Sequence, residues 1–304
     1  MVAIDGSKIP LPNREALRLK FGSCGRGASS PTAIASIAFD VLNERILDAQ
    51  LEEMCVDERT LALRHMDNIK AKHRTDLLYT MFVFDRGYAS KKLISTIENL
   101  HDRYLFRLRA KFNNEVDALP APYGDTDIID QTVQYHGMRM RVLRFYLPGG
   151  WVETLITNDF SLDKAAFKML YFLRWPVEEE YKLLKEKVGL TNFNGYSENS
   201  VQQEFWIAMV LANLVMLVKK EADGIIDETV NKKQNKHAYQ ANMNELVGCI
   251  SRHFPEYMEA DTLDEKRAII HYIIESAISN RVRDKKGCGE SNPRKKPRKS
   301  YVRA

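Results

Sequence analysis

Three acidic residues stand at positions where carboxylates could hold divalent metal ions. Asp5 follows a short apolar run near the start of the chain, and Asp85 follows a longer one that ends at Phe84. Glu178 lies far downstream, in a segment with the pattern of a helix. Two ions about 3.5–4 Å apart, held by carboxylates from separate elements, can activate the attacking oxygen of a phosphodiester reaction and stabilise the leaving one. The pattern therefore predicts a site for two Mg²⁺ ions, with Mn²⁺ as a substitute.

A phenol and two cations occur at fixed spacing around Glu178. Tyr171 and Arg174 precede it, and Lys185 follows it. Pro176 favours the start of a new helix, because a proline in the first turn removes an N–H that would have no partner there. Lys185 would lie two turns along this helix from Glu178, which suits contact with a phosphate better than a tight ion pair.

Each acid also has a structural explanation. An Asp-Gly pair after a strand, as at Asp5, is often only a turn, and Asp85 has the same weakness. Glu178 could be a solvated acid that is favoured near a helix N-terminus. The order of the three acids, together with the spacing of the Tyr, Arg and Lys, favours the functional interpretation.

The apolar patterns predict strands separated by helices. Predicted strands cover residues 2–4, 32–41, 45–51, 77–84, 104–110, 138–147 and 151–158. Predicted helices cover residues 57–72, 90–99, 162–174, 176–188, 201–220, 238–250 and 264–279. The near-continuous apolar run 77–84 is typical of a strand buried on both faces, whereas the first strand is expected to stop at the turn signal Asp5-Gly6-Ser7. Strands flanked by helices, with a hairpin near the start, predict a three-layer α/β core with its functional residues at strand ends.

Charge and composition limit the class of protein. Residues 281–304 contain ten Lys and Arg against two acids, although the whole chain carries a net charge of only +4. Such a tail is not expected to fold alone, and a polyanion is its simplest partner; a solubilising tail is the alternative. The scattered cysteines show no zinc spacing and fit a reducing cytoplasm. No signal peptide is recognisable, and the most apolar run, 205–218, is shorter than the roughly 20 residues of a membrane span.

The motifs resemble those of the DDE transposases of bacterial insertion sequences, specifically the insertion-sequence-four type. That family's signature is Tyr, two residues, Arg, three residues, Glu, six residues, Lys, and it is met without a gap by Tyr171, Arg174, Glu178 and Lys185. The family's first acid lies in an Asp-Gly-Ser/Thr context and its second in an Asp-Arg-Gly-Tyr/Phe context. Residues 5–7 and 85–88 match these two contexts.

The resemblance implies a ribonuclease-H-like three-layer core with a β-rich insertion between the second catalytic Asp and the catalytic Glu. The implied domains are a core at 1–103 and 153–220, an insertion at 104–152, a C-terminal helical region at 221–280 and a basic tail at 281–304. The implied metal ligands are Asp5, Asp85 and Glu178, and the implied phosphate contacts are Tyr171, Arg174 and Lys185. Trp175 or Trp151 could stack on an unpaired base, and packing in the core is the alternative for either indole.

The implied function is cleavage of double-stranded DNA at the ends of a mobile element and transfer of the freed end into target DNA. A homodimer on DNA, associated with the nucleoid in a bacterial cytoplasm, is the expected assembly. Family members usually carry a helical region before the first acid, so an N-terminally truncated chain is also an expectation. Two alternatives remain open: a DNA-binding or inhibitory fragment without activity, and a nuclease of the same fold that performs no strand transfer.

Overall fold

A computed structural model describes most of the chain as two compact units. The described ranges are 1–24, 30–72, 80–124, 127–147, 149–172, 175–233 and 237–284. The first unit covers Met1–Leu217 and the second covers Val218–Ala304. The predicted basic tail, 281–304, lies outside the described residues after position 284.

The first unit is built on a mixed β-sheet that has eight strands in the described ranges. The strands are β1 (Val2–Pro10), β2 (Thr32–Asp40), β3 (Arg45–Glu53), β4 (Met81–Phe84), β5 (Arg103–Arg107), β6 (Ile128–Tyr135), β7 (Met138–Tyr146) and β8 (Val152–Thr157). Their order across the sheet is β3-β2-β1-β4-β5-β8-β7-β6. The pairs β1–β4 and β4–β5 are parallel, and the other neighbours are antiparallel.

Helices follow the strands along the chain. In the first unit they are α1 (Glu15–Phe21), α2 (Glu58–Lys72), α3 (Lys91–Asn99), α4 (Asn114–Asp117), α5 (Lys164–Phe172) and α6 (Trp175–Lys182), which continues as a π-helical segment, Leu183–Val188. Helix α7 (Glu198–Thr229) contains the boundary between the units. The second unit also has a 3₁₀ turn (Asn231–Lys233), the helices α8 (Met243–Glu259) and α9 (Leu263–Ser279), and the short strands β9 (Tyr239–Gln240) and β10 (Val282–Arg283), which pair with each other.

Strand β4 separates two apolar cores. Phe82 and Phe84 belong to a cluster that includes side chains of α2 and α3. Met81 and Val83, which alternate with them, belong to a second cluster that includes Phe167 of α5. Because successive strand residues point to opposite faces, the sheet has helices on both sides. The three-layer α/β core is therefore confirmed, and the order β3-β2-β1-β4-β5, with only β2 reversed among these five strands, is ribonuclease-H-like.

Strand β1 is longer than predicted. The expected stop at Asp5-Gly6-Ser7 is wrong, since β1 runs to Pro10 and Asp5 lies inside it. The physical reason is pairing: Gly6 and Ser7 are opposite Ser36 and Ala35 of β2, and these ladder contacts override the local turn preference. The neighbouring β4 ends at Phe84, so Asp5 still lies where its parallel partner terminates.

Several other elements differ from the predictions. The hairpin β2–β3 is confirmed, whereas α1 and β6 were not predicted. Part of the predicted strand 77–84 falls on 73–79, outside the described residues. The strands of the β-rich segment, 104–152, join the same sheet as the core strands.

Among the helices in the described ranges, α7 alone is long and apolar enough to cross a membrane by length and composition. The core helix of a soluble protein can satisfy the same criterion, so this is weak evidence. Within the first unit, the amide of Asn213 in this helix accepts from the backbone N–H of Ile46 at 2.7 Å and donates to its carbonyl at 3.0 Å. These bonds fix α7 to the edge strand β3.

Candidate active site

The two predicted aspartates lie side by side at the centre of the sheet. Strands β1 and β4 are parallel with Ile4 opposite Phe84, so Asp5 and Asp85 follow at the same level. Neighbouring strands are about 4.8 Å apart, and both acids lie on the face opposite Ile4 and Phe84 because side chains alternate. Both residues are partly exposed. The fold therefore brings together two carboxylates that are 80 positions apart in the chain.

A third acid, Glu58, lies near these two aspartates. Burial, and then the charges of Asp5, Glu58 and Asp85, raise the pKa of Tyr88 well above its usual value. Glu58, at the start of α2, lies against β1: a Cβ atom added to Gly6 would be 3.1 Å from its Oε1. A group of acids close to Asp5 and Asp85 favours the binding of cations.

The turn after Asp85 is held by α2. The guanidinium of Arg59 donates to the carbonyls of Gly87 at 2.9 Å and Tyr88 at 3.1 Å, and the N–H of Tyr88 donates to the carbonyl of Asp85 at 3.1 Å. The Asp-Arg-Gly-Tyr motif thus forms a turn whose carbonyls are held by Arg59 of α2, and this turn keeps Asp85 at the end of β4.

Asp85 also makes an ion pair with a residue that sequence reasoning did not place in the site. Arg107, the last residue of β5, approaches the Asp85 carboxylate at 3.4 Å and that of Glu153 on β8 at 2.8 Å. The hydroxyl of Tyr171 donates to Glu153 at 3.1 Å. The sequence gave no signal for this arrangement, because Arg107 falls inside the predicted strand 104–110 and its partner Glu153 lies 46 positions away.

The four residues of the Tyr-Arg-Glu-Lys signature are described to different extents. The ring of Tyr171 is buried in the core on the α5 side of the sheet, with its hydroxyl on Glu153. Arg174 lies outside the described residues. The backbone of Glu178 is in α6, but its side chain, like that of Trp175, lies outside the described part of the structure. Trp151 is 77% exposed, just before β8.

Lys185 reaches strand β1 from the π-helical segment. Its Nζ donates to the hydroxyl of Ser7 at 2.5 Å, two residues beyond Asp5. Burial lowers the pKa of Lys185, and the charge of Asp5 opposes that change. A cation in this position can contact a phosphate that is bound near Asp5. Such π-helical segments are often found at functional sites.

Tyr181 connects α6 directly to β1. Its hydroxyl lies 2.8 Å from the carbonyl oxygen of Asp5 and 2.9 Å from that of Ala35, and the two acceptors share its single proton. Burial, and then the charge of Asp5, raise the pKa of Tyr181 well above its usual value, so the hydroxyl remains a donor. In the sequence, Val177, Tyr181 and Leu184 recur at the spacing of an apolar helix face, and the hydroxyl of Tyr181 indicates a buried polar contact on that face.

A buried hydrogen-bonded chain supports the same carbonyl from the other side. The hydroxyl of Ser36 donates to the carbonyl of Asp5 at 3.2 Å, and His65 Nε2 lies 3.0 Å from that hydroxyl. The other ring nitrogen of His65 lies 2.8 Å from Asp48, which also accepts from Lys72 at 3.0 Å. Ser36 and His65 are fully buried, so this Ser-His-Asp arrangement is a support for β1 and is closed to a substrate.

The donor set fits divalent metal ions. Asp5 and Asp85 offer hard oxygen ligands at the same level of adjacent parallel strands, as Mg²⁺ requires. The nearby charge of Glu58 would favour a cation there, whereas Arg107 and Lys185 would oppose it. Within the described ranges, no group of three or more His, Cys, Asp or Glu residues is close enough to form a metal site. The pair needs a further ligand, and Glu178 is the predicted one.

Comparison with known proteins connects this geometry to a family. A family model described as the transposase DDE domain matches residues 1–214. A Sinorhizobium fredii protein named "Putative transposase y4zB" is 24% identical over 151 residues, which are 46% of this chain and 42% of that protein. A cryo-EM structure of a piggyBac transposase synaptic complex with hairpin DNA matches 92% of this chain and 56% of its own at 11% identity, with a TM-score of 0.49. The chain thus spans less than half the length of the curated relative.

Proposed function

This chain belongs to the transposase DDE domain family, and we propose that it cleaves double-stranded DNA at insertion-sequence ends and transfers the freed strand to target DNA. The observation that carries the proposal is the register of β1 and β4, which aligns Asp5 with Asp85. Two carboxylates at the same level of adjacent parallel strands form a rigid platform for metal ions. A phosphodiester reaction assisted by two metals needs such a platform.

We propose that Asp5, Asp85 and Glu178 hold two divalent ions, with Mg²⁺ as the physiological ion. When bound, the ions would activate the attacking oxygen and stabilise the leaving one. The protein supplies the arrangement of the ligands: Asp5 is fixed through its carbonyl by Tyr181, and the turn after Asp85 is fixed by Arg59.

The proposed DNA contacts surround these acids. Lys185 extends from the π-helical segment to Ser7 and can exchange this hydroxyl for a phosphate oxygen. Arg174 is proposed as a second phosphate contact and Trp175 as a stacking residue. For Tyr171, the buried ring and the hydrogen bond from its hydroxyl to Glu153 also support a structural role, in which it fixes the carboxylate that pairs with Arg107. Synapsis of two element ends further favours a homodimer on DNA.

The test is cleavage of a supercoiled plasmid carrying the DNA that flanks the gene, in Mg²⁺ or Mn²⁺. Asp5→Asn and Asp85→Asn are expected to reduce nicking by more than about 100-fold, since even indirect ligands of metals contribute 10–100-fold. The matched control is Asp130→Asn, which removes a carboxylate that pairs with Arg141 on the far strands of the same sheet.

Nicking by either site variant at the wild-type rate would contradict the assignment. DNA binding without cleavage by the wild-type chain would instead support a binding or inhibitory module, and cleavage without joining of the 3′-hydroxyl to target would indicate a nuclease. Circular dichroism of the same preparations separates loss of the metal ligand from loss of the fold, and Mn²⁺ binding then reports on the metal site alone.

A further inference from the structure

The ion pair between Arg107 and Asp85 follows from the register of two strand pairs. Phe106 of β5 is opposite Phe84 of β4 in the parallel pairing, so Arg107 and Asp85 are the next residues on both strands and lie on the same face. On its other side Arg107 is opposite Leu155 of β8. Glu153, two residues earlier on β8, projects from the same face as Leu155. One guanidinium therefore lies between two carboxylates.

The two ion pairs differ in strength and exposure. The side chain of Glu153 is 5% exposed, that of Arg107 is 23% exposed and that of Asp85 is 34% exposed. Arg107 is 2.8 Å from Glu153 but 3.4 Å from Asp85. Removing the partner of a buried carboxylate is costly, so Glu153 retains the guanidinium. The longer and more exposed contact with Asp85 is the one that can be broken.

Glu153 is itself fixed by two further contacts. The hydroxyl of Tyr171 donates to its Oε2 at 3.1 Å, and its Oε1 lies 3.3 Å from the backbone N–H of Thr154. The guanidinium of Arg107 also lies over the ring of Tyr171, with 5.9 Å between Cζ and the ring centre. The anchor of Arg107 is therefore rigid, and its positive charge stays beside Asp85 whether or not the longer contact, with Asp85, is made.

We propose that Arg107 is a positioning residue that holds the Asp85 carboxylate in the metal-free protein and competes with divalent metal ions for it. The inference rests on the proposed function of Asp85 as a metal ligand. A cation bound at Asp85 takes the place of the guanidinium, which remains on Glu153. The fixed positive charge lowers the affinity of the site for metal ions. At the same time, it holds the Asp85 carboxylate in position before a metal ion binds.

The inference predicts an increase in metal affinity, whereas simple damage to the site would decrease it. In a Mn²⁺ titration of the full chain without DNA, followed by electron paramagnetic resonance of the free ion, Arg107→Gln is expected to bind Mn²⁺ about 10-fold more tightly, equivalent to about 1.4 kcal/mol. Arg107→Lys retains the charge and is expected to remain within about 3-fold of wild type. Like charges near a bound cation always oppose its binding.

The matched control is Arg103→Gln. Arg103 is at the other end of β5 and pairs with Asp159 at 3.0 Å, so its loss is expected to leave Mn²⁺ affinity unchanged. If Arg107→Gln does not fold because Glu153 becomes an unpaired buried charge, the double variant Arg107→Gln/Glu153→Gln replaces the ion pair by two neutral amides and leaves no buried charge unpaired. It carries the same prediction of tighter binding.

The outcomes distinguish this inference from the proposed function. Tighter Mn²⁺ binding that Asp85→Asn abolishes supports both. Asp85-dependent binding with unchanged or weaker affinity in Arg107→Gln and in the double variant overturns the role of Arg107 and leaves the proposed function intact. Wild-type binding that does not depend on Asp85 overturns the metal site, and the inference with it.

Discussion

Substitution of Tyr181 by Phe tests whether α6 is held in place from β1. The change removes one oxygen atom and leaves the ring and its packing. The hydroxyl is buried and lies 2.8 Å from the carbonyl oxygen of Asp5 and 2.9 Å from that of Ala35, which share its proton. Glu178, the predicted third metal ligand, lies three residues earlier on the same helix, so the hydroxyl connects the helix of one acid to the backbone of another.

The expected loss of stability follows from these contacts. A buried hydrogen bond contributes about 0.5–1.5 kcal/mol net, and a carbonyl left without a partner costs about 1–3 kcal/mol. The Asp5 carbonyl retains the hydroxyl of Ser36 at 3.2 Å, which places the expected loss near 1–2 kcal/mol. For a unit of this size that corresponds to a fall in Tm of roughly 2–8 °C. The cleavage rate is expected to fall further, by about 10–100-fold, because a shift of one ångström at a reacting group can cost that much.

The measurement is thermal unfolding by circular dichroism together with plasmid cleavage at a temperature well below both transitions. Tyr104→Phe is the matched control, since it removes a buried hydroxyl that donates to Glu98 at 3.0 Å from the same sheet. The control is expected to lose similar stability and to cleave normally. Equal cleavage rates for Tyr181→Phe, Tyr104→Phe and wild type would refute the reasoning.

Two further predictions concern the pH dependence of stability. Burial alone would raise the pKa of Asp48, but hydrogen bonds, led by that from His65, lower it overall. Asp48 therefore stabilises the fold above its unfolded pKa of about 3.9, and this contribution is lost as the pH falls below that value. Asp48→Asn is expected to cost about 1–3 kcal/mol at neutral pH. In urea unfolding at a series of pH values, the variant should also lose less stability than wild type between neutral and acidic pH. Burial, and then the charge of Glu44, raise the pKa of Glu180 to about 7. The free energy of unfolding should then fall as the pH rises from about 4.3, the pKa of Glu in an unfolded chain, to about 7. Glu180→Gln should remove this fall, so that above about pH 7 the variant is more stable than wild type by roughly 3 kcal/mol. Parallel pH profiles of stability for the variant and wild type would contradict this.

The fold was predictable where apolar patterning is strong. The run that includes Met81–Phe84 reads as a strand buried on both faces, and its residues alternate between two cores. Strand β6 was missed because five of its eight residues, including Asp130 and Gln131, are polar or partly exposed. The end of β1 was wrong because Gly6 and Ser7 favour a turn locally, whereas pairing with β2 keeps them extended.

The site was predictable only as separate residues. The context of Asp85 indicates a strand end correctly, whereas Asp5 lies inside β1, and the sheet register brings the two residues to one level. The ion pairs of Arg107 could not be predicted, because they depend on the antiparallel pairing of β5 with β8 across 46 positions from Arg107 to Glu153. Strand partners of that separation leave no local signal in the sequence.

Helix α6 and the π-helical segment that continues it contact strand β1 at two points. Tyr181 of α6 and Lys185 of the π-helical segment are four residues, or about one helical turn, apart, and they contact Asp5 and Ser7, which are two residues or about 6.6 Å apart along a strand. Both contacts can therefore form together when the helix runs along the strand. One contact alone would allow the helix to rotate about it, whereas two fix its direction as well as its position. A third carboxylate delivered from a separate helix needs both constraints, because metal ligands must be set within about 0.5 Å.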